Sequence, residues 1–203
     1  MSLLTRRLPR TVEAGGAAWP IDPDFRLMME LEEAAAGPEG LPPEALGELL
    51  GRFYPQGVPP DIEGAVEGML WFYRCGKEEE GAGGGSPGRG RLYDFEQDGE
   101  ALYTSFLQAF RIDLTTDSVH WWRFRKLMFG LPAETPFAQR LHYRAADTAG
   151  MGREQKKHYA KMKRLYAVRE AARFHETLEQ RDRRMRDYVA RRFAEVERGK
   201  DGA

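Results

Sequence analysis

The stretch that decides the fold is YDFEQDGEALYTSFLQAFRIDLTTDSVHWWRFRKLMFGL, residues 93–131. It contains two of the chain's four tryptophans, Trp121 and Trp122. Around them lie Phe95, Tyr103, Phe106, Phe110, Phe124 and Phe129. Aromatic side chains bury more apolar area than other side chains, so this density predicts a core or an interface.

The spacing of the apolar residues predicts two short helices. Leu102, Phe106 and Phe110 recur every four positions on one helix face, which Tyr103 and Leu107 widen. A break follows, after which the second helix carries its apolar residues on one side: Trp121, Phe124, Leu127, Met128 and Leu131. The stretch therefore predicts a helical hairpin with an aromatic inner face.

Capping residues set the limits of the second helix. The run 112–117 breaks the helical pattern, and Thr116 or Asp117 can cap the helix that follows. Gly130 and Pro132 mark its end. His120 lies near the start of this helix, where we expect a structural hydrogen bond from its ring.

The order of motifs in this stretch resembles a phage family. A Tyr-x-Phe-x-x-Asp block, a Phe-x-x-Ala-Phe block, Ile-Asp-Leu and His-Trp-Trp-x-Phe follow one another before a Gly-Leu ending. The positions are Tyr93, Phe95, Asp98, Phe106, Ala109, Phe110, Ile112, Asp113, Leu114, His120, Trp121, Trp122, Phe124, Gly130 and Leu131. The pattern is similar to the bacteriophage gene-product-fifteen proteins, which are encoded beside the tape-measure gene of long-tailed phages. With looser matches at 21–26, 53–55 and 71–73, the resemblance covers roughly residues 19–166. It implies a role in tail assembly, as a chaperone for the tape-measure protein.

Composition bounds the class of protein. A chain of 203 residues, 41% of them hydrophobic, is long enough to bury a substantial core. No run of 18 apolar residues exists, which argues against a membrane span, and residues 1–10 lack the apolar segment of a secretory signal. The single cysteine, Cys75, has no partner for an internal disulfide and favours a reducing compartment. We expect a cytoplasmic protein of the bacterial host cell.

The chain before the aromatic stretch predicts a hairpin and three helices within residues 1–76. Gly15 and Gly16 suit a tight β-turn, and Asp24 can cap a helix from Phe25 to about Ala36. Two further helices are predicted at 44–54 and 62–75. The apolar sides of the three helices comprise Leu27, Met28, Leu31, Leu46, Leu49, Leu50, Phe53, Ile62, Val66, Met69, Leu70 and Tyr73.

Residues 77–92 carry three acids and then a Gly/Ser/Pro-rich run, which predicts a flexible linker. A phosphate-binding loop is excluded, because the Gly-Lys-Ser/Thr ending of the Walker pattern is missing. We expect residues 93–150 to pack on 1–76 as one domain and to include a short helix that begins at Thr135–Pro136.

Residues 151–203 predict a long basic C-terminal helix, as one helix or two nearly continuous ones, since no glycine or proline interrupts 153–198. From residue 153 onward the chain carries 16 basic and 9 acidic residues, a net charge of +7, against −8 for residues 1–152. Because the basic helix and the acidic remainder of the chain attract each other, copies of the chain can associate through this helix. Arginines between 181 and 192 suit phosphate contacts, but interleaved acids make a solvated helix or a coiled-coil partner the favoured interpretation.

No catalytic or metal-binding constellation emerges from the sequence. The four histidines lack zinc-ligand spacing. The acidic cluster Asp94, Glu96, Asp98 and Glu100 is interpreted as a helix start, where acids suit the dipole. We therefore expect no enzyme activity, no metal and no cofactor.

The sequence thus predicts a mainly α fold with a short N-terminal β-hairpin, a multi-helix body around an aromatic core, and a long charged C-terminal helix. The favoured function is a tail-assembly chaperone whose partners are the tape-measure protein or other tail proteins, with no membrane partner. The candidate partner-binding residues are Trp19, Trp122, Leu178, Met185, Val189 and Phe193. A structural tail component of the virion and a nucleic-acid-binding accessory that uses the basic helix are the alternatives.

Overall fold

The computed structural model describes residues 7–36, 40–77 and 92–168. Within these ranges the fold is mainly helical, as predicted, and its only strands form the N-terminal hairpin. The elements are β1 (Thr11–Ala14), β2 (Ala17–Pro20), α1 (Phe25–Ala35), α2 (Pro43–Phe53), α3 (Ile62–Tyr73), α4 (Phe95–Phe110), α5 (Trp121–Phe129), α6 (Pro136–Ala145) and α7 (Arg153–Tyr166).

The described chain divides into two compact units. Unit 1 comprises the described residues up to 77 together with 119–123, and unit 2 comprises 92–118 and 124–168. Residues 78–91 of the predicted linker, 77–92, lie outside the described residues. The packing of 93–150 on 1–76 as one domain stays a prediction.

The hairpin of unit 1 forms where Gly15 and Gly16 predict it. Both glycines have positive φ angles, 58° and 74°, as a tight two-residue turn requires, and β1 pairs antiparallel with β2. The hairpin packs closely on α3 because Gly68 has no side chain. A Cβ at Gly68 would lie 2.9 Å from the Val12 Cγ2 atom and 2.9 Å from the Tyr54 hydroxyl.

Helices α1 to α3 follow the predicted apolar faces with small shifts of their ends. Asp24 caps α1 by accepting a hydrogen bond from the Arg26 amide at 3.0 Å. The predicted apolar residues of α1 to α3 are buried, except that Ile62 is half-buried. Helix α3 ends at Tyr73, two residues earlier than predicted, because Cys75 and Gly76 take positive φ angles of 60° and 70°.

The tryptophan pair completes the core of unit 1 at the end of α3. The Trp121 indole N–H donates to the Tyr73 carbonyl at 2.8 Å, and the Trp122 indole N–H donates to the Phe72 carbonyl at 2.8 Å. Carbonyls in the last turn of a helix have spare capacity to accept hydrogen bonds, and the two indoles use it. The Phe72 carbonyl also accepts from the Cys75 amide at 3.0 Å. The Trp121 ring also stacks on Tyr73, with ring centroids 5.7 Å apart.

Unit 2 is built around the aromatic face of α4. Phe106 stacks on Phe124 with centroids 5.1 Å apart, and Phe124 also meets Phe95 at 6.3 Å. The buried Ser105 hydroxyl accepts a hydrogen bond from the Phe137 amide at 3.0 Å, which ties the start of α6 to α4. Leu107, predicted to widen the buried face of α4, is instead 37% exposed.

The start of α5 differs from its prediction. Neither Thr116 nor Asp117 caps the helix, because Asp117 accepts from the Asp113 amide at 2.8 Å and closes a separate turn. Helix α5 begins at Trp121, and the His120 ring accepts from the Trp122 amide at its first turn. The helix ends at Phe129, before Gly130, as predicted.

The last two described helices begin where the sequence places them. Thr135 precedes α6, although its hydroxyl donates to the Pro132 carbonyl at 2.7 Å instead of capping the helix. Helix α7 begins at Arg153 and ends at Tyr166. The predicted continuation of the C-terminal helix from residue 169 lies outside the described residues.

Candidate partner-binding surface

Helix α7 is the surface helix of unit 2. None of its residues is buried. It carries six lysines and arginines against one acid, Glu154, a net charge of +5 over 14 residues. A helix with this composition is stable on a protein surface only when one side is supported by tertiary contacts.

Aromatic contacts with α6 give that support. The Tyr143 ring stacks on Tyr166 with centroids 5.9 Å apart and meets Tyr159 edge-on at 5.3 Å. The Tyr159 hydroxyl lies 3.0 Å from the His142 Nε2 atom, within hydrogen-bond distance. Tyr159 and Tyr166 therefore define the inner side of α7, and this side is half-buried.

The outer side of α7 is cationic. Lys157, Lys161 and Arg164 are exposed and recur every three or four positions; we call these three residues the cationic face. Glu154, His158 and Ala160 lie on the same open side of α7 as these three residues. Leu165 follows directly and is 65% exposed. The surface therefore combines positive charge with one large exposed apolar side chain.

Three hydrogen bonds near its C-terminal end fix helix α7 in place. The Arg144 guanidinium donates to the Tyr166 carbonyl, and the Gln97 side-chain Nε2 atom donates to the Ala167 carbonyl at 2.9 Å. Lys163 donates to the Ala146 carbonyl at 2.6 Å. Because the final carbonyls of a helix carry a partial negative charge, a cation such as Arg144 is well placed there.

Asp98 anchors the same arginine from the interior of unit 2. Its side chain is 1% exposed and accepts from the Arg140 Nη1 atom at 2.8 Å and the Arg144 Nη2 atom at 2.9 Å. Burial alone would raise the pKa of the Asp98 carboxyl, but the hydrogen bonds from Arg144 and Arg140 outweigh burial and lower that pKa. Asp98 is therefore an ionised buried partner for two arginines.

This network corrects the interpretation of the acidic cluster. Asp94 does cap α4, accepting from the Gln97 amide at 2.8 Å, as a helix start predicts. Asp98 instead lies on the buried face with Phe95, Leu102 and Ser105. Its spacing from those residues was the available signal, since an acid on an apolar face needs a buried partner.

The predicted partner-binding residues fall into three environments. Trp19 is half-buried, and its indole donates to the Ala14 carbonyl at 3.2 Å within the hairpin. Trp122 is 5% exposed, so it offers almost no surface to a partner in this conformation. The other four lie outside the described residues: Leu178, Met185, Val189 and Phe193.

The family comparison covers both units. A family model described as Bacteriophage Gp15 protein matches residues 4–168. The chain belongs to this family. The resemblance found in the aromatic stretch is therefore confirmed, and the protein is a phage protein. Neither a curated protein nor a solved structure matches the chain.

The matched range places α7 within the Gp15 part of the chain, because the match extends two residues beyond the helix. Among residues 7–36, 40–77 and 92–168, no group of three His, Cys, Asp or Glu side chains could hold a metal ion. Within the same ranges, no helix has the length and hydrophobicity needed to cross a membrane. The prediction that this Gp15 chain is not an enzyme stays a prediction.

His120, within the uncommon His-Trp-Trp motif of this Gp15 chain, links three segments of unit 1. Its Nδ1 atom accepts from the Trp122 amide at 3.1 Å, and its Nε2 atom lies 2.8 Å from the Pro9 carbonyl. Nδ1 can accept only in the neutral ring, so Nε2 carries the proton and donates it to Pro9. The backbone of His120 also bridges to Asp24. The sequence prediction of a structural hydrogen bond is confirmed.

We expect unit 1 to lose stability as the pH falls below about 6.5, the ordinary value of an unfolded histidine. Burial lowers the pKa of His120 and the charge of Arg10 lowers it further, although the Pro9 hydrogen bond raises it. The unfolded chain then binds the proton more tightly, so the stabilisation is complete above that pH and is lost below it.

Urea denaturation between pH 5 and 8 measures this loss. The His120→Asn variant is the control, since asparagine keeps an acceptor at the helix start but does not titrate. Its free energy of unfolding should vary less with pH than that of the wild type. Equal slopes in the two proteins would exclude His120 as the source.

Proposed function

We propose that the protein is a non-enzymatic tail-assembly chaperone, which binds the tape-measure protein in the cytoplasm of the host during tail morphogenesis. Membership in the Gp15 family supports a role in tail assembly, since proteins of this family are encoded beside the tape-measure gene. The observation that carries the proposal is α7, a surface helix with no buried residue and with Leu165 65% exposed.

A surface helix of this kind suits a helical client. Long helical proteins aggregate through their apolar stripes, and a chaperone protects such a stripe by laying a helix of its own against it. Binding energy in such contacts is concentrated in a few large side chains near the centre. On the described part of α7, Leu165 is the large apolar side chain that is available.

The fixed position of α7 favours binding. Arg144, Gln97 and Lys163 hold its C-terminal end to the rest of unit 2. A helix that is already ordered loses little conformational entropy on binding, so more of the contact energy remains as affinity. The further candidate contacts are Trp19, Leu178, Met185, Val189 and Phe193.

Co-expression with the tape-measure protein of the same phage tests the proposal. We expect the tape-measure protein to become soluble and to co-purify with the chain. Leu165→Asp should reduce the co-purified amount about tenfold, as expected for a central apolar contact.

The matched control is Leu107→Asp, which places the same charge at an exposed leucine of α4. This variant should bind within about twofold of the wild type. A tape-measure protein that stays insoluble and forms no complex with the wild-type chain would contradict the proposed function.

A further inference from the structure

We infer that the cationic face of α7 selects an acidic amphipathic helix, so that charge determines which segment of the client is bound. This inference rests on the proposed function and defines the chemistry of the segment that α7 recognises.

The geometry of the cationic face matches a helix. Lys157, Lys161 and Arg164 lie at i, i+4 and i+7 and extend over about 10 Å along one side of α7. A partner helix with acids at the same spacing would meet all three cations at once. Charged residues that flank an apolar seam determine partner choice and orientation in this way in coiled coils.

The apolar component lies beside the charges. Ala160 lies on the same open side of α7 as the cationic face, and its small side chain permits close approach of a second backbone. Leu165 lies one helical turn after Lys161, on the same side of α7, and is 65% exposed. The combination predicts a client segment with a narrow apolar stripe and acidic flanks.

The excess of charge on α7 favours an anionic partner. With one acid against six basic residues, the helix repels a cationic or basic segment. The single acid on α7, Glu154, is too few to neutralise these cations within the helix. An acidic partner therefore gains Coulomb attraction that a neutral helix does not.

An acidic helix fits this surface better than a nucleic acid does. Single-stranded nucleic acids need open aromatic faces on which bases stack. Here the rings of Tyr143, Tyr159 and Tyr166 pack on one another, with centroids 5.3 and 5.9 Å apart. Four of the six cations of α7 are lysines, whereas bidentate phosphate contacts favour arginine.

A charge-reversal pair provides the test. The double variant Lys157→Glu/Lys161→Glu should weaken binding of the tape-measure protein about tenfold or more, and wild-type binding should weaken as salt rises from 50 to about 500 mM. The matched control is Arg123→Glu/Lys126→Glu, which reverses two exposed cations of α5. This control should bind within about twofold of the wild type, and circular dichroism should show that both variants remain folded.

Two further probes identify the chemistry of the ligand. Synthetic peptides that span the tape-measure protein should show tightest binding for an acidic amphipathic segment, and a 30-nucleotide oligo-dT strand should not compete with that peptide.

The outcomes separate the two proposals. If the wild type binds the tape-measure protein but the double variant and high salt change nothing, the inference is wrong and the proposed function stands. Preferred binding of a neutral or basic peptide, or competition by oligo-dT, would also overturn the inference. If the wild type binds no tape-measure protein at either salt concentration, both fail.

Discussion

The Asp98→Ala variant is expected to lower the free energy of unfolding of unit 2 by about 3–5 kcal/mol. Asp98 is wholly buried, and its removal leaves the guanidinium groups of Arg140 and Arg144 without their carboxylate. A buried cation that loses its partner costs far more than the net energy of the original pair. Urea denaturation, followed by the NMR signals of the backbone amides of α4 and α6, measures this loss of stability.

The control for this variant lies on the same helix. Glu96 is exposed in the first turn of α4, and Glu96→Ala should change stability by no more than about 1 kcal/mol. Equal effects of Asp98→Ala and Glu96→Ala would show that the buried ion network does not stabilise unit 2.

The Asp98 variant also links stability to binding. Arg144 contacts both Asp98 and the Tyr166 carbonyl at the end of α7. Without Asp98 the arginine loses its anchor, and the end of α7 loses a donor that is fixed in position. We therefore expect Asp98→Ala to weaken binding of the client as well, although Asp98 itself is buried.

The Trp121→Ala variant is the second change with a large expected effect. Trp121 is wholly buried in unit 1, stacks on Tyr73 and donates to the Tyr73 carbonyl. Removing a buried tryptophan leaves a large cavity, so the free energy of unfolding of unit 1 should fall by about 3–5 kcal/mol. Thermal and urea denaturation of the purified variant measure this change.

Two companion variants separate the contributions of Trp121. Trp121→Phe keeps an aromatic ring but removes the indole donor, and a loss of about 1 kcal/mol is expected from the missing hydrogen bond. Phe129→Ala changes the other end of α5, where the side chain is 56% exposed, and should cost about 1 kcal/mol or less. A Trp121→Ala variant as stable as Phe129→Ala would contradict the assignment of Trp121 to the core.

Elements that depend on neighbouring residues could be predicted from the sequence. The hairpin follows from Gly15–Gly16, which adopt the positive φ angles of its turn without steric cost. The start of α1 follows from Asp24, whose side chain caps a helix that begins at the next residue. The start of α6 follows from Pro136, which suits the first position of a helix. Each of these signals lies within a few residues of the structure that it predicts.

Features that join distant residues could not be predicted in this way. Trp122 was assigned to a partner surface, but its indole donates to a carbonyl 50 residues earlier in the chain. Asp98 was assigned to a helix dipole, but its partners lie 42 and 46 residues later. Local periodicity indicates which face of a helix is buried, and it does not show what a side chain on that face contacts.

The candidate surface on α7 could be predicted from the sequence in part. The sequence predicted a basic helix from Arg153, and α7 confirms its start. Only the structure shows that Tyr159 and Tyr166 form the docking side of α7 and that Tyr143 of α6 receives it. The outward position of the cationic face follows from that contact. The sequence shows that α7 is positively charged, but it does not show which side of the helix faces outward.

Hydrogen exchange on the purified complex with the tape-measure protein is the measurement that tests the central claim most directly. If the chain holds its client through α7, the amides of residues 153–166 should exchange about tenfold more slowly in the complex than in the free chain. Residues 62–73 of α3 should be unchanged. Unchanged exchange throughout α7 in a complex that forms, with protection confined to other helices, would contradict the account.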